Sequence, residues 1–223
     1  MINIKPLKYI LPLVLLLLSS LTYAGTEDRK YRIIVDGSST RTFLYLYQYD
    51  YHDALPYNLK ILLKSRIYPG IAMIKNKDIN AYLKRLFHDQ LALKLESIAG
   101  KDNRGPGALK LSRIQFYTTG GMRALPKSVQ DEKNKLIKDW LDKWLMTHSV
   151  IMDKADKDIR TLSGEEEAAY AWVGENYLES LFNGSLSGVA MINGASTQIA
   201  YQDNKYPNIE VQVANKKYAI TGR

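Results

Sequence analysis

Two short stretches of this chain carry the residue types that hold an anion without a charged side chain at every contact. Val35-Asp36-Gly37-Ser38-Ser39-Thr40 and Ile192-Asn193-Gly194-Ala195-Ser196-Thr197 repeat one pattern: an apolar residue, a short polar one, a glycine, then small or hydroxyl-bearing residues. Each reads as the tip of a hairpin. Two such tips facing each other present backbone N–H groups and hydroxyls to a single anion, and phosphate suits concave donor nests of that kind. Either tip alone is a common Gly-Ser turn, so the signal lies in the repetition. A third stretch brings acid–base chemistry, because Ser163 is followed by Glu165, Glu166 and Glu167. Carboxylates in the first turn of a helix suit its macrodipole, and one held beside a reacting water can also act as a general base. By position alone Glu167 fits both roles.

The elements that must position these residues are legible from periodicity. Residues 31–36 and 43–49 are rich in β-branched and aromatic types, which makes the first tip a strand–turn–strand. Residues 188–192 and 197–201 do the same for the second tip. A short strand over 112–117 runs into the turn Thr118-Thr119-Gly120-Gly121. Asp78 is placed to cap a helix through Ile79, Leu83, Leu86, Leu91 and Leu95, ended by Gly100 and followed by a polar loop over 101–107. Pro126 opens a long amphipathic helix in which Ile137, Trp140, Leu141, Trp144 and Leu145 recur at helical spacing. Its tryptophans read as core rather than as a ligand platform. Ser163 caps a further helix that the glycines at 184 and 188 break, and 209–213 and 217–220 are strand-like.

Composition narrows the chemistry. The chain has 223 residues, three histidines and no cysteine, which removes disulfide frameworks, thiolate zinc sites and cysteine nucleophiles. With 46% hydrophobic and 24% charged residues it reads as globular rather than disordered or fibrous. Lys5 and Lys8 precede an apolar run over 10–18, and Thr22-Tyr23-Ala24 supplies small residues behind it, the layout of a signal peptide over 1–24. That run is shorter than the roughly 20 residues a membrane-spanning helix needs. The expectation is therefore a secreted, periplasmic or extracellular protein with no stable membrane span after cleavage. The formal charge of +8 includes Lys5 and Lys8; without them 29 basic residues stand against 23 acidic ones, leaving +6. The lysines and arginines are scattered without a basic stripe, so no nucleic-acid partner is expected.

Four segments then fall in order: Asp36 to Thr42 continuing to Tyr47; Thr118 to Pro126; Ser163 to Tyr177 with Glu166, Glu167, Tyr170, Trp172, Asn176 and Tyr177; and Met191 to Gln198. Together they resemble the four motifs of the nucleoside triphosphate diphosphohydrolases, the apyrases related to the mammalian ecto-ATPases. The resemblance implies an α/β, actin-like (ribonuclease H-like) fold of two lobes. It also implies nucleoside tri- or diphosphates and a divalent cation, Mg2+ or Ca2+, in the interlobe cleft, where water hydrolyses the terminal phosphate without a covalent intermediate. Phosphoryl transfer needs charge neutralisation and an oriented nucleophile above all, and a hard cation takes oxygen ligands. By this resemblance Glu167 is the base that activates water, and Gln198 and Ser196 orient that water and the metal shell. Asp36 holds the metal through water. Ser38, Ser39, Thr40, Gly194 and Ala195 contact phosphates, while Thr119 and Arg123 support the site. Asp36 as a simple turn cap and Arg123 as a locally paired arginine remain open readings. The Glu166-Glu167-x-x-Tyr170-x-Trp172 run separates the chain from other actin-like proteins such as polyphosphatases.

Several positions depart from the resembled motifs. Ser38 and Arg41 replace glycines of the first phosphate loop, Asn193 replaces one in the fourth motif, and Ala168 replaces the one after Glu167. Met191 replaces an acidic residue, and a thioether is a poor ligand for a hard cation. The resembled family continues past its fourth motif with a fifth motif and base-stacking aromatics, whereas here only 202–223 follow. The expected organisation is a leader over 1–24, an actin-like lobe over 25–183 and the beginning of an incomplete second lobe over 184–223, with apolar surface and a strand edge left open. The alternative to a hydrolase is a catalytically inactive or truncated remnant that at most binds nucleotide or phosphate.

Overall fold

Strand β1 (Lys30–Gly37) is buried along nearly its whole length, with Ile33, Ile34 and Val35 fully enclosed, as a central strand covered on both faces must be. The structure is a computed structural model and describes residues 30–52, 55–87, 89–101, 110–148, 151–152, 157–179, 182 and 184–223. The expected signal peptide and all but the first residue of the 101–107 loop lie outside the described residues.

β2 (Thr42–His52) pairs antiparallel with β1, and β3 (Leu55–Ile67) lies beyond it. On the other side β4 (Lys110–Thr118) runs parallel to β1. β5 (Ile151–Met152) and β6 (Lys157–Thr161) in turn run parallel to β4 along one edge. The crossover from β4 passes through a single-turn helix α3 (Gly120–Arg123) and the 21-residue α4 (Lys127–Thr147). Pro126 sits at the N-cap of α4, where its missing N–H costs nothing. Ile137, Leu141, Trp144 and Leu145 form the buried stripe of α4, joined in one core by Val35, Leu44 and Phe116 from the sheet.

The helix expected from Asp78 to Gly100 is two helices, α1 (Ile79–Leu86) and α2 (Asp89–Lys101). Asp78 makes no side-chain cap; it closes a 3-10 turn over Asn76–Asp78 instead. The interruption falls at Phe87, whose ring packs 5.2 Å from both Trp140 and Trp144. The segment expected as the turn Thr118-Thr119-Gly120-Gly121 goes directly from β4 into α3.

The described residues divide into two compact units, with the line between Leu162 and Ser163. The second unit holds α5 (Gly164–Leu178) and the sheet β7 (Val189–Ile192), β8 (Thr197–Gln202), β10 (Lys216–Gly222) and β9 (Ile209–Val213), in that order. A boundary at 183 would leave α5 with the first sheet. Instead Ala168, Ala171 and Trp172 of α5 share a core with Val189, Met191, Ala200, Val211 and Ile220. On the strands β7 and β8 alternate residues point away from that core, and Ile192, Ile199 and Tyr201 are 80%, 52% and 46% exposed. Among the described residues no helix is long and apolar enough to cross a membrane.

Candidate functional site

The expected site residues fall in both units, and the set in each unit is built by its own local chemistry. In the first, β1 and β2 close at the Gly37–Thr42 pair, leaving Ser38–Arg41 as the loop. Ser38 Oγ donates to Arg41 O at 2.8 Å and ties the loop to itself. Glycines on two other segments let the main chain come close. A Cβ on Gly70 would lie 2.2 Å from Ser38 O, and one on Gly121 would lie 2.7 Å from Ser39 Cα. The loop is therefore wedged between the turn before the 3-10 segment Ile71–Met73 and the start of α3. Thr42 anchors its exit: Thr42 Oγ1 accepts from Ile71 N at 3.1 Å and lies 2.7 Å from the Tyr82 hydroxyl. Burial pushes the Tyr82 phenol up to about 12, so it stays protonated.

Around this loop Asp36 is half-buried at the end of β1, Ser38 and Ser39 are half-buried, and Thr40 is exposed. Thr119 is buried and donates its backbone N–H to Gly37 O at 3.2 Å, which fixes α3 beside the loop. Arg123 Nη1 donates to Leu162 O at 3.0 Å. Sequence reasoning passed over Gly70, although the Pro69-Gly70 pair that marks it is visible in the chain.

Replacing glycine at 38 and 41 does not strain this loop. Among the described non-glycine residues only Asn58 and Ala214 have positive φ, so Ser38, Arg41 and Asn193 all have ordinary backbone conformations. The Arg41 guanidinium lies over the Phe43 ring at 5.1 Å.

In the second unit Ser163 caps α5 with a complete capping box: its side chain accepts from Glu166 N at 3.1 Å, and Glu166 Oε2 accepts from Ser163 N at 2.9 Å. That fixes the helix start from which Glu167 projects. Glu167 is fully buried, and its Oε1 accepts from Asn193 Nδ2 at 3.0 Å. β7 and β8 close at the Ile192–Thr197 pair, leaving Asn193–Ser196 as the loop, with Asn193 N donating to Ser196 O at 2.8 Å. Ser196 Oγ in turn donates to Gln198 Oε1 at 3.4 Å, and Gln198 is buried. Gly194 and Ala195 form the exposed tip. Three hydrogen bonds, the middle one between main-chain atoms, thus connect Glu167, Asn193, Ser196 and Gln198 in succession. Met191 is buried in the core beneath α5, so this position packs rather than coordinates.

The two loops are both four residues long, yet the sequence repeat does not follow their register. Asp36 and Asn193 align in the repeat, but Asp36 pairs with Phe43 inside the strands while Asn193 is the first loop residue. The structural equivalent of Asn193 is Ser38, and each closes its loop onto the carbonyl three residues on.

The loop of the first unit offers oxygen donors of the kind a divalent cation takes. Among the described residues no group of three or more His, Asp or Glu side chains gathers to cage a metal. The donors near the loop are instead one half-buried carboxylate, Asp36, and hydroxyls, the oxygen set on which a hydrated hard cation is held jointly with substrate phosphates.

Comparison with known proteins places these features in context. Residues 22–221 match the GDA1/CD39 (nucleoside phosphatase) family. A nucleoside-triphosphatase of Caenorhabditis elegans is 25% identical over 86% of this chain and 33% of its own length. A probable apyrase of Arabidopsis thaliana is 23% identical over 90% of this chain and 40% of its own. The chain thus spans a third to two fifths of the length of these relatives. Among solved structures, one of nucleoside triphosphate hydrolases from Neospora caninum superposes with a TM-score of 0.54 at 14% identity, over 88% of this chain and 44% of that one. The fold is α/β and actin-like.

Proposed function

The chain belongs to the GDA1/CD39 (nucleoside phosphatase) family, and from that premise we propose that it takes part in metal-dependent hydrolysis of the terminal phosphate of nucleoside tri- and diphosphates. The observation that carries this reading is the chain of hydrogen bonds from Glu167 through Asn193 and Ser196 to Gln198. It gathers a carboxylate that can take a proton with two groups that can orient a water, which is what phosphoanhydride hydrolysis asks of a protein. Glu167 accepts the proton of the attacking water, and Ser196 and Gln198 hold that water's direction. Ser38, Ser39 and Thr40 on one loop and Gly194 and Ala195 on the other bind phosphate oxygens through N–H groups and hydroxyls. Thr119, bonded to Gly37 O, braces the first loop, and Arg123, bonded to Leu162 O, supports the site from α3. Asp36 holds Mg2+ or Ca2+ through water, and the cation supplies charge neutralisation on the phosphate oxygens when bound. Following the family resemblance, the protein is exported, with its leader removed after Ala24. Purified chain incubated with ATP or ADP and a divalent cation is expected to release inorganic phosphate, and chelation of the cation to stop it. Saturable nucleotide binding without release would favour the non-catalytic alternative.

A further inference from the structure

We propose that Asn193 is the positioning residue for Glu167, an inference that rests on reading Glu167 as the proton acceptor. Asn193 contributes to its loop through the backbone, donating N–H to Ser196 O at 2.8 Å, and it does so at an ordinary φ. A glycine could close the turn in the same way. What the side chain adds is the Nδ2 bond to Glu167 Oε1 at 3.0 Å. Both ends of that bond are held: the amide stands on a four-residue turn closed at Ile192–Thr197, and the carboxylate stands on a helix start pinned by its capping box. Glu167 is fully buried, and a carboxylate out of water needs an N–H donor to stay ionised. The amide therefore does two things. It selects one rotamer of Glu167, and it favours the charged form that can take a proton.

Other titratable groups lie on the elements packed with α5. Glu165, Glu166, Tyr170, Glu175 and Tyr177 are on the helix itself, Tyr201 is on β8, Glu210 on β9, and Lys216, Lys217 and Tyr218 on β10, while β7 carries none. Asp203 and Arg223 follow β8 and β10. Lys217 pairs with Glu210, Glu166 accepts from Ser163 N, and Tyr218 packs against Trp172 and Phe182.

The test compares wild type, Asn193→Gly and Asn193→Asp in two readouts. The first is the pH profile of Mg2+-dependent phosphate release from ATP. The second is a 13C NMR titration of glutamate carboxyls, with Glu167 assigned through Glu167→Gln. Asn193→Gly is expected to raise both the acid limb and the Glu167 titration by about one pH unit, with KM within about twofold. Asn193→Asp, the same shape without the donor and with a like charge, should raise them further. Unchanged Glu167 titration in both variants would overturn the proposal, whatever happens to the rate. Absence of release by folded wild type would overturn Glu167 as base, and the NMR titration alone would then decide whether Asn193 holds its carboxylate.

Discussion

Gly70 and Gly121 govern how closely the neighbouring main chain approaches Ser38 and Ser39, since a Cβ on either meets loop backbone below 3.0 Å. Gly70→Ala must displace the Ser38 carbonyl, and we expect a loss of about 1–3 kcal/mol in urea denaturation together with weaker nucleotide binding. An unchanged midpoint would mean the loop yields without cost. At this scale the two hairpin loops were legible in the sequence, because Gly-Ser-Thr clusters are a local signal. The place of Glu167 in the first turn of a capped helix was legible too, although only the motif resemblance singled it out from Glu165 and Glu166. Contacts across long separations carried no such signal. The Asn193–Glu167 bond joins residues 26 apart, and the reach of Gly70 to Ser38 depends on a turn that folds back from beyond β3. The shared pattern at 35–40 and 192–197 was read as one register, whereas strand pairing sets the two loops out of step by two residues.

Helix α5 presents Glu167 only as firmly as its first turn is held. Ser163→Ala removes the acceptor for Glu166 N and one side of the capping box. It is expected to cost about 1 kcal/mol, read as a lowered denaturation midpoint, and to reduce turnover more than binding. A second element-scale prediction concerns the connection after β8. Asp203 Oδ1 accepts from Tyr206 N at 3.0 Å and Lys205 N at 2.9 Å, and Oδ2 accepts from Thr221 Oγ1 at 2.9 Å. These bonds hold its carboxyl below the usual range. A lowered folded value stabilises the protein above the unfolded pKa and is lost as pH falls through the folded one, so this contribution fades below about pH 4. Melting temperature followed across acid pH should fall less steeply in Asp203→Asn than in wild type; parallel curves would refute the assignment. Elements with strong periodicity or a cap, such as α4 and α5, were legible in the chain. β3 was not, because Leu59-Lys60-Ile61-Leu62-Leu63-Lys64 lacks period-two alternation and the strand lies at the sheet edge.

At the scale of the whole molecule, each unit has its own core, and the second leaves the outer face of β7 and β8 apolar along an edge strand. Exposed Ile192 on the edge strand β7, with exposed Ile199 and Tyr201 on the adjoining β8, favours association. Light scattering of the purified chain should rise with concentration, and Ile199→Lys should suppress that rise; equal scattering by both would place the association elsewhere. The sequence places the division between units after α5, whereas α5 shares its core with the second sheet, because a helix between two sheets does not announce which core it joins. The central claim is that Glu167 takes a proton from the water that attacks a nucleotide's terminal phosphate. Its most direct measurement is phosphate release from ATP with Mg2+ or Ca2+ by folded wild type and by Glu167→Gln, with nucleotide binding followed in the same samples. Release by wild type is expected, with roughly a hundredfold less by Glu167→Gln and similar binding by both. Equal release by the two proteins, or none by folded wild type, would contradict it.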